Sequence, residues 1–407
     1  MMIIMSFVGI VALIGIAFIF STNRKAIKWR TVLAAFAVQF IFAFLVLYSE
    51  WGRAALKWLS EGVQQVLNTA NAGISFVFGT AVGGDNFVFA FQILTIIIFM
   101  SSLIAFLYYI GVMQWVIRIL GTALSKALGT SRKESLSATA NIFVGQTEAP
   151  LVIKPYLPTM TQSELFAVMV GGLASVAGSV LAGYAALGVP LEYLLAASFM
   201  AAPAGLMFAK IVVPETQEVD DNIEIAEDEE NKPANFVDAA ARGASDGLFL
   251  ALNVGAMLLA FISLIALVNL MLGGIGGWFG YESLSLQLIL GYVFAPLAFV
   301  IGVPWADAVQ FGSYLGQKLV LNEFVAFSEF APIIGSGELS ARTEAMTAFA
   351  LCGFANISSL AILLGGLGGM APNRRGDIAR MGALAILAGT LANLMSATLA
   401  GLLIGLL

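Results

Sequence analysis

Apolar residues gather along this chain into eight runs, roughly 2 to 21, 31 to 49, 88 to 111, 162 to 187, 191 to 213, 247 to 272, 345 to 370 and 379 to 405. About 20 helical residues at ~1.5 Å rise cross the ~30 Å hydrocarbon layer of a bilayer. The pattern therefore predicts an all-α polytopic membrane protein with eight transmembrane helices. The first run has no basic segment before it and no small-x-small site before Arg24, so it reads as a retained span and not a cleaved leader. Residues 51 to 68 differ from the spans. They place Leu56, Leu59, Val63, Val66 and Leu67 on one helical face and Arg53, Lys57, Glu61 and Gln64 around the other, the mark of a helix lying on the bilayer or packed on a neighbouring subunit.

Two stretches, 134 to 160 and 304 to 340, are too polar and too broken by glycine and proline to be ordinary spans. Folded in half, each gives arms too short to cross, which predicts two re-entrant helical hairpins. Their surroundings repeat. Ile-Leu-Gly at 119 to 121 precedes the first hairpin and Ile-Leu-Gly at 289 to 291 the second, while GGLASVAGSV at 171 to 180 matches CGFANISSLA at 352 to 361. This divides the chain into residues 1–87, a first repeat at 88–213, a linker at 214–246 and a second repeat at 247–407.

Charge sets the orientation. Basic residues cluster at 22 to 30, 112 to 133 and 371 to 380, and eight spans put all three clusters on one side, the cytoplasmic one by the positive-inside rule. Both termini are then extracytoplasmic, and the hairpins enter from opposite faces, so the repeat is inverted. Such repeats leave half-helix ends and free carbonyls at the bilayer midplane, where a polar solute and a cation can be held.

Composition narrows the chemistry. Sixty per cent of residues are apolar and 11% charged, which excludes a soluble protein. There is no histidine, and the one cysteine is Cys352, so disulfides, Cys/His metal sites and histidine catalysis are ruled out. The net charge of −6 arises at residues 215 to 230, which hold nine acids and no base; without them 19 bases face 16 acids. That acidic stretch reads as a solvated cytoplasmic linker.

The first hairpin contains NIFVGQTEAP, residues 141 to 150. A carboxylate at membrane depth costs about 2.5 to 3.5 kcal/mol on insertion scales, so Glu148 belongs where it pairs, binds or lines water, or else at an exposed loop tip. Gln146 and Thr147 add uncharged donors and acceptors suited to the edges of a heterocycle. The second hairpin contains LNEFVAFSEFAPI, residues 321 to 333, with Glu323 at the position that corresponds to Glu148. A carboxylate there can accept two hydrogen bonds from a vicinal diol; Glu329 lies nearer the mouth. The interrupted spans supply Ser175, Ser179, Asn356, Ser358 and Ser359. The serines suit close helix packing, the Asn356 amide needs partners, and Phe354 either stacks on a ring or packs in the core.

At these residues the chain resembles the concentrative nucleoside transporter family, in its short bacterial form. GQTEAP, NEFVAF and GFANISS carry the resemblance, which covers nearly the whole length. It implies a homotrimer in the bacterial inner membrane, with scaffold spans around moving transport domains and an elevator-type displacement. It further implies that Gln146, Thr147 and Glu148 contact the nucleobase, that Glu323, Asn356 and Ser359 hold the ribose, and that Val180 and Phe354 line the pocket. The family's sodium site corresponds to Asn141, Val144, Ser175 and Val176. The expected partners are a nucleoside and the lipid bilayer, with no nucleic acid and no organic cofactor. The expected function is nucleoside import by symport with sodium; a proton-coupled carrier is the nearest alternative, because Glu148 and Glu323 can carry protons. A channel needs no discrete pocket between two hairpins. Catalysis would require a histidine, a metal cluster or a serine/lysine dyad in a suitable context, so the chain reads as no enzyme.

Overall fold

The computed structural model describes residues 2–79, 88–220, 233–281 and 283–407, and these are helical, with no strand among them. In chain order the helices are α1 (Met2–Ile19), α2 (Trp29–Ala43, continued by a π-helical turn to Tyr48), α3 (Glu50–Phe78), α4 (Phe89–Tyr109), α5 (Val112–Leu128), α6 (Arg132–Ala140), α7 (Gln162–Ala174) and α8 (Gly178–Ala186). There follow α9 (Leu191–Val212), α10 (Phe236–Gly277), α11 (Leu286–Val300), α12 (Trp305–Val320), α13 (Glu323–Phe330), α14 (Ala341–Leu351), α15 (Ile357–Met370) and α16 (Arg375–Ile404).

Seven of the eight expected spans are helices long and apolar enough to cross. The eighth, 345 to 370, is instead split into α14 and α15, because its middle, residues 352 to 356, leaves helical geometry. A further break separates α7 from α8 inside the span 162 to 187. The interfacial helix is longer than its 51 to 68 core. Ser49 caps it by accepting from Gly52 N at 3.1 Å, and it runs 29 residues, with Trp51 and Trp58 exposed.

The linker is shorter than 214 to 246. Asn235 Oδ1 accepts from the Val237 and Asp238 amides at 2.9 Å each, an N-cap strong enough to start α10 at Phe236. Most of the acidic stretch, residues 221 to 232, lies outside the described residues.

The first hairpin comprises α6, a turned tip at 141 to 148 and a 3-10 arm over Ala149–Thr159. Pro155 and Pro158 keep this second arm from becoming an α-helix, since neither has an N–H to donate. The second hairpin comprises α12 and α13: α12 leaves the preceding α11 at a bend of 120°, where Gly302 adopts φ +100°, and α13 returns after the tip at Leu321 and Asn322. The two Ile-Leu-Gly glycines do the same work in each repeat. Gly121 lies against Leu136 of α6, and Gly291 against the Val309 backbone of α12, so a Cβ at either would collide with the helix that follows.

The repeat is antiparallel in space. Thr22 N donates to Val212 O at 2.8 Å, Arg374 donates to Met160 O at 2.5 Å, and Lys210 pairs with Glu134 at 2.6 Å. The basic segments at 22 and 374 and the base of the first hairpin thus share one end. At the other end, Arg342 beside the second hairpin donates to Gly401 O at 2.6 Å, Gly302 O at 2.5 Å and Ser6 Oγ at 3.0 Å. Both chain termini therefore lie at the end opposite the first hairpin's base.

Packing separates the helices into two sets. Helices α7 and α8 are 94% buried and α9 is 89% buried, whereas α4 is 11% and α10 17% buried. The α4 and α10 helices pack on each other, while α1 and α2 pack on α16 and α9. Helices α1 and α2 are themselves 22% and 33% buried, closer to α4 and α10 than to the buried set, and α3 packs on both α4 and α9.

Candidate functional site

The two broken helices cross at their breaks. Ser175, at the end of α7, is extended at φ −112° and ψ 175°, and its carbonyl accepts from Phe354 N at 3.1 Å. Asn393 of α16 ties the crossing together, its Nδ2 donating to Ala174 O at 2.6 Å and Cys352 O at 3.1 Å. Gly353 lies directly on the Asn393 amide, where any side chain would clash. The first break thus has its carbonyls at Ala174 and Ser175 bonded by groups of the second repeat, and Asn393 serves Cys352 O of the second break as well, which satisfies backbone that helix geometry no longer serves.

Each hairpin tip meets this crossing. Glu323 begins α13 and is 5% exposed. Its Oε1 accepts from Tyr184 Oη of α8 at 3.0 Å, and its Oε2 accepts from Asn356 Nδ2 at 2.9 Å. Asn356 in turn is the N-cap of α15, where its Oδ1 accepts from Ser359 N at 2.8 Å and Ser358 Oγ at 2.7 Å. One amide therefore links the helix start to the carboxylate. A carboxylate offers about four acceptor positions, so two remain for a ligand's donors.

The first tip is built differently. Gly145 N donates to Glu148 Oε2 at 2.5 Å, and Thr147 Oγ1 lies 3.5 Å from Oε1. Glu148 is exposed, with Tyr108 of α4 and Asp246 of α10 as its electrostatic neighbours. Gln146 is buried against Gly172, where a Cβ would come within 2.7 Å of the Gln146 Cβ, and Thr147 packs on Gly366 of α15. Val180 and Ser359 are buried near the helix starts that follow the breaks, and Phe354 is half-buried. The expected residues thus fall into two groups, one around Glu323 and one at the first tip.

Asn141, Val144, Ser175 and Val176 are all buried. Asn141 Nδ2 donates to Ser137 O at 3.0 Å, but its Oδ1 has no hydrogen-bond partner although buried. Ser175 Oγ donates to Gly171 O at 2.8 Å, which leaves its own lone pairs directed elsewhere, and Gly171 lies against the Asn141 amide. A buried amide oxygen with no protein partner at the end of α6, together with the Ser175 hydroxyl at the end of α7, offers the oxygen donors that suit a hard monovalent cation. The residues fit sodium.

Three members of the site escaped the sequence reading. Tyr184 sits in an apolar helix and reads as packing. Asn393 and Lys318 are buried polar groups inside membrane segments, and membrane depth alone marks such residues. The correspondence between the breaks also shifts. The N-caps Ala177 and Asn356 are equivalent by position, which pairs Ser175 with Phe354 and displaces the glycine-based match of 171 with 352 by two residues.

Comparison with known proteins agrees with this geometry. Residues 193–401 match the family described as Na+ dependent nucleoside transporter C-terminus, residues 8–81 its N-terminus, and residues 90–191 the Gate family, described as nucleoside recognition. The nucleoside permease NupC of Helicobacter pylori is 50% identical, over 98% of this chain and 98% of that one. CNTnw in an inward-facing substrate-bound state is 55% identical at a TM-score of 0.96, covering 100% of this chain and 99% of the other. A doubly substituted CNTnw in an outward-facing state gives 0.97 at the same identity, with 100% of both chains covered. A membrane-embedded crossing of broken helices, two hairpin tips that meet it, and matches over the full length make this chain a member of the concentrative nucleoside transporter family.

Proposed function

We propose that this chain imports nucleosides across the bacterial inner membrane by symport with sodium, moving its hairpins and broken helices as one body past α4 and α10. The observation that carries the reading is the Glu323 carboxylate, held almost out of solvent by Tyr184 from one broken helix and Asn356 from the other. Two directed lone pairs on a buried carboxylate match a vicinal diol, and a ribose offers one. Ser359 lies beside this pair, and Gln146, Thr147 and Glu148 approach from the opposite hairpin with amide, hydroxyl and carboxylate groups for a base. Val180 and Phe354 supply apolar wall. Sodium, when bound, would be held by Asn141, Val144, Ser175 and Val176, and it supplies charge to the end of α7.

The elevator reading rests on the uneven burial. Exposed α4 and α10 pack as a pair, and the buried bundle is internally bonded through Asn393, Lys318 and Arg342. A rigid bundle against a thin wall favours sliding over local rearrangement. The exposed apolar faces of α3, α4 and α10 face lipid or neighbouring subunits of a homotrimer. With the basic end cytoplasmic, both termini are periplasmic.

The test is uptake of labelled uridine and adenosine into proteoliposomes under separately imposed sodium and proton gradients. Concentrative uptake driven by sodium alone is expected. Uptake driven only by protons would move the coupling to the carboxylates, and downhill flux insensitive to both would make the protein a passive pathway.

A further inference from the structure

Helix α5 joins the exposed wall to the first hairpin, and both its ends lie at the basic end of the molecule. At its start, α4 finishes beside the first turns of α10: the Phe106 and Phe236 rings are 6.4 Å apart, and Ser102 Oγ donates to Ala240 O at 2.8 Å. These turns of α10 belong to the basic end, because its far part bonds through Asn269 and Gln287 to Glu329 of the second hairpin. At the finish of α5, Gly129, Thr130 and Ser131 share a cleft with Lys28, Lys210 and Glu215. With both ends at one level, its 17 residues, about 25 Å of helix, run along the bilayer surface and not through it. Met113, Ile117, Gly121, Ser125 and Leu128 form its buried face, and Gly121 meets Leu136 of the hairpin.

The opposite face of α5 mixes charge with apolar surface. Trp115 is 66% and Ile119 47% exposed, and an open groove of about 450 Å³ on the same face is lined by Arg118, Ile119, Thr122, Ala123 and Lys126. Arg118, Thr122 and Lys126 stand at i, i+4 and i+8, one row about 12 Å long. Neither cation is paired with an acid among the described residues, and α5 carries no acid of its own. An exposed tryptophan and isoleucine beside two unpaired cations suit the boundary between headgroups and acyl chains, where apolar bodies enter the hydrocarbon and the charges stay with phosphate.

The internal repeat separates these cations from the needs of the fold. In the register set by Gly121 and Gly291, Arg118 corresponds to Leu288 and Lys126 to Pro296, and α11 holds no charged residue, although it keeps the glycine contact with the helix that follows. Exposed apolar side chains are kept as well, at Ile289 and Val293. A topological signal requires only basic residues near the end of a span; it does not require that they lie in one row among exposed apolar side chains. We propose that the outer face of α5 binds anionic phospholipids, Arg118 and Lys126 taking headgroup phosphate at either end of the row and Trp115 and Ile119 meeting the acyl chains. The lipid thereby anchors the arm that carries the first hairpin.

The experiment is fluorescence quenching by brominated lipids in nanodiscs of phosphatidylcholine. A thiol-reactive fluorophore is placed at the edge of the groove through Ala123→Cys, and at the equivalent site of α11 through Val293→Cys, the native Cys352 being buried. Quenching by brominated phosphatidylglycerol is compared with quenching by brominated phosphatidylcholine at constant ionic strength. Each cation near an anionic headgroup contributes about a fivefold preference. The label on α5 should therefore show phosphatidylglycerol preferred at least about fivefold, and the label on α11 a ratio near 1. Adding Arg118→Gln and Lys126→Gln together should bring the α5 ratio near 1, while Arg118→Lys should keep most of it. An equal preference at both labels would make it a property of the whole lipid annulus and overturn the inference, as would a double variant with an unchanged ratio. Loss of the preference on adding inorganic phosphate at the same ionic strength would assign the groove to soluble anions and overturn it too. The comparison between the two labels needs no charge variant, so it decides even if the double variant does not fold.

Discussion

Asn356 does two jobs with one amide, and two substitutions separate them. Its Oδ1 caps α15 through Ser359 N at 2.8 Å, and its Nδ2 donates to Glu323 at 2.9 Å. Alanine removes both. Loss of an N-cap costs ~1 kcal/mol of stability, and loss of a hydrogen bond to a charged, buried partner costs about 1.5 to 3 kcal/mol. The second cost should fall mainly on binding, because Glu323 without Asn356 is neither oriented nor fully paired for a diol; that is about ten- to a hundred-fold in affinity. Serine keeps a cap but is too short to reach Glu323. Asn356→Ala should therefore lower both the thermal unfolding temperature and uridine affinity, while Asn356→Ser should recover most of the stability and none of the affinity. Unfolding followed by intrinsic fluorescence and uridine titration of the same nanodisc samples read the two effects separately. If Asn356→Ser restores affinity along with stability, the contact with Glu323 does not orient the carboxylate, and the ribose assignment fails.

Tyr184→Phe keeps the ring stacked on Phe327, with centroids 4.4 Å apart, and removes only the donor to Glu323. The KM for uridine uptake should rise about tenfold, with an unfolding temperature close to that of the unaltered protein. Asn141→Ala should flatten the sodium dependence of uridine binding, because it removes a buried oxygen that has no protein partner, and should cost about 1 kcal/mol of sodium-free stability through the lost bond from Nδ2 to Ser137 O; an unaltered sodium titration would remove Asn141 from the cation site. At the basic end, Lys210→Met strands Glu134, which is 1% exposed and paired at 2.6 Å, and should destabilise the fold by about 3 to 5 kcal/mol. Adding Glu134→Gln should recover part of the loss in thermal unfolding, and a double variant no more stable than the single one would show that the pair is not what holds α6 to α9.

The spans were legible because lipid imposes a length and a polarity that leave a coarse, redundant signal: losing one apolar residue in twenty hardly changes it. The hairpins were legible for the converse reason, since Pro150, Pro155 and Pro158, together with polar tips, cannot form a lipid-facing helix. The exact ends were not. Asn235 sets the start of α10 by a local cap, and a single asparagine in a polar linker is a weak signal until its bonds to Val237 and Asp238 are in view. At the site, Glu148 and Glu323 stood out because acids are rare in membrane segments. Lys318 and Asn393 obey the same rule, yet they lie in helices whose neighbours read as helix end and apolar span, so only the folded chain shows that they meet. Tyr184 carried no signal at all, because its ring is apolar and its hydroxyl matters only once α8 lies beside α13.

The two tips are unequal in a way that bears on coupling. Around Glu323 the polar groups are already bonded to one another, through Tyr184, Asn356, Ser358 and the Ser359 amide, and only spare acceptor positions on the carboxylate remain. At the first tip, Asn141 Oδ1 and Gln146 Oε1 are both buried without partners, and each such atom costs about 1 to 3 kcal/mol. The first tip is therefore the one that gains most from a bound cation and from a ligand's donors, and both gains are made within six residues of the same turn. An ion that satisfies Asn141 also steadies the turn that carries Gln146, so the cation and the solute stabilise one conformation in common. Coupling of this kind requires no direct contact between ion and nucleoside; it requires only that one turn be incomplete without either.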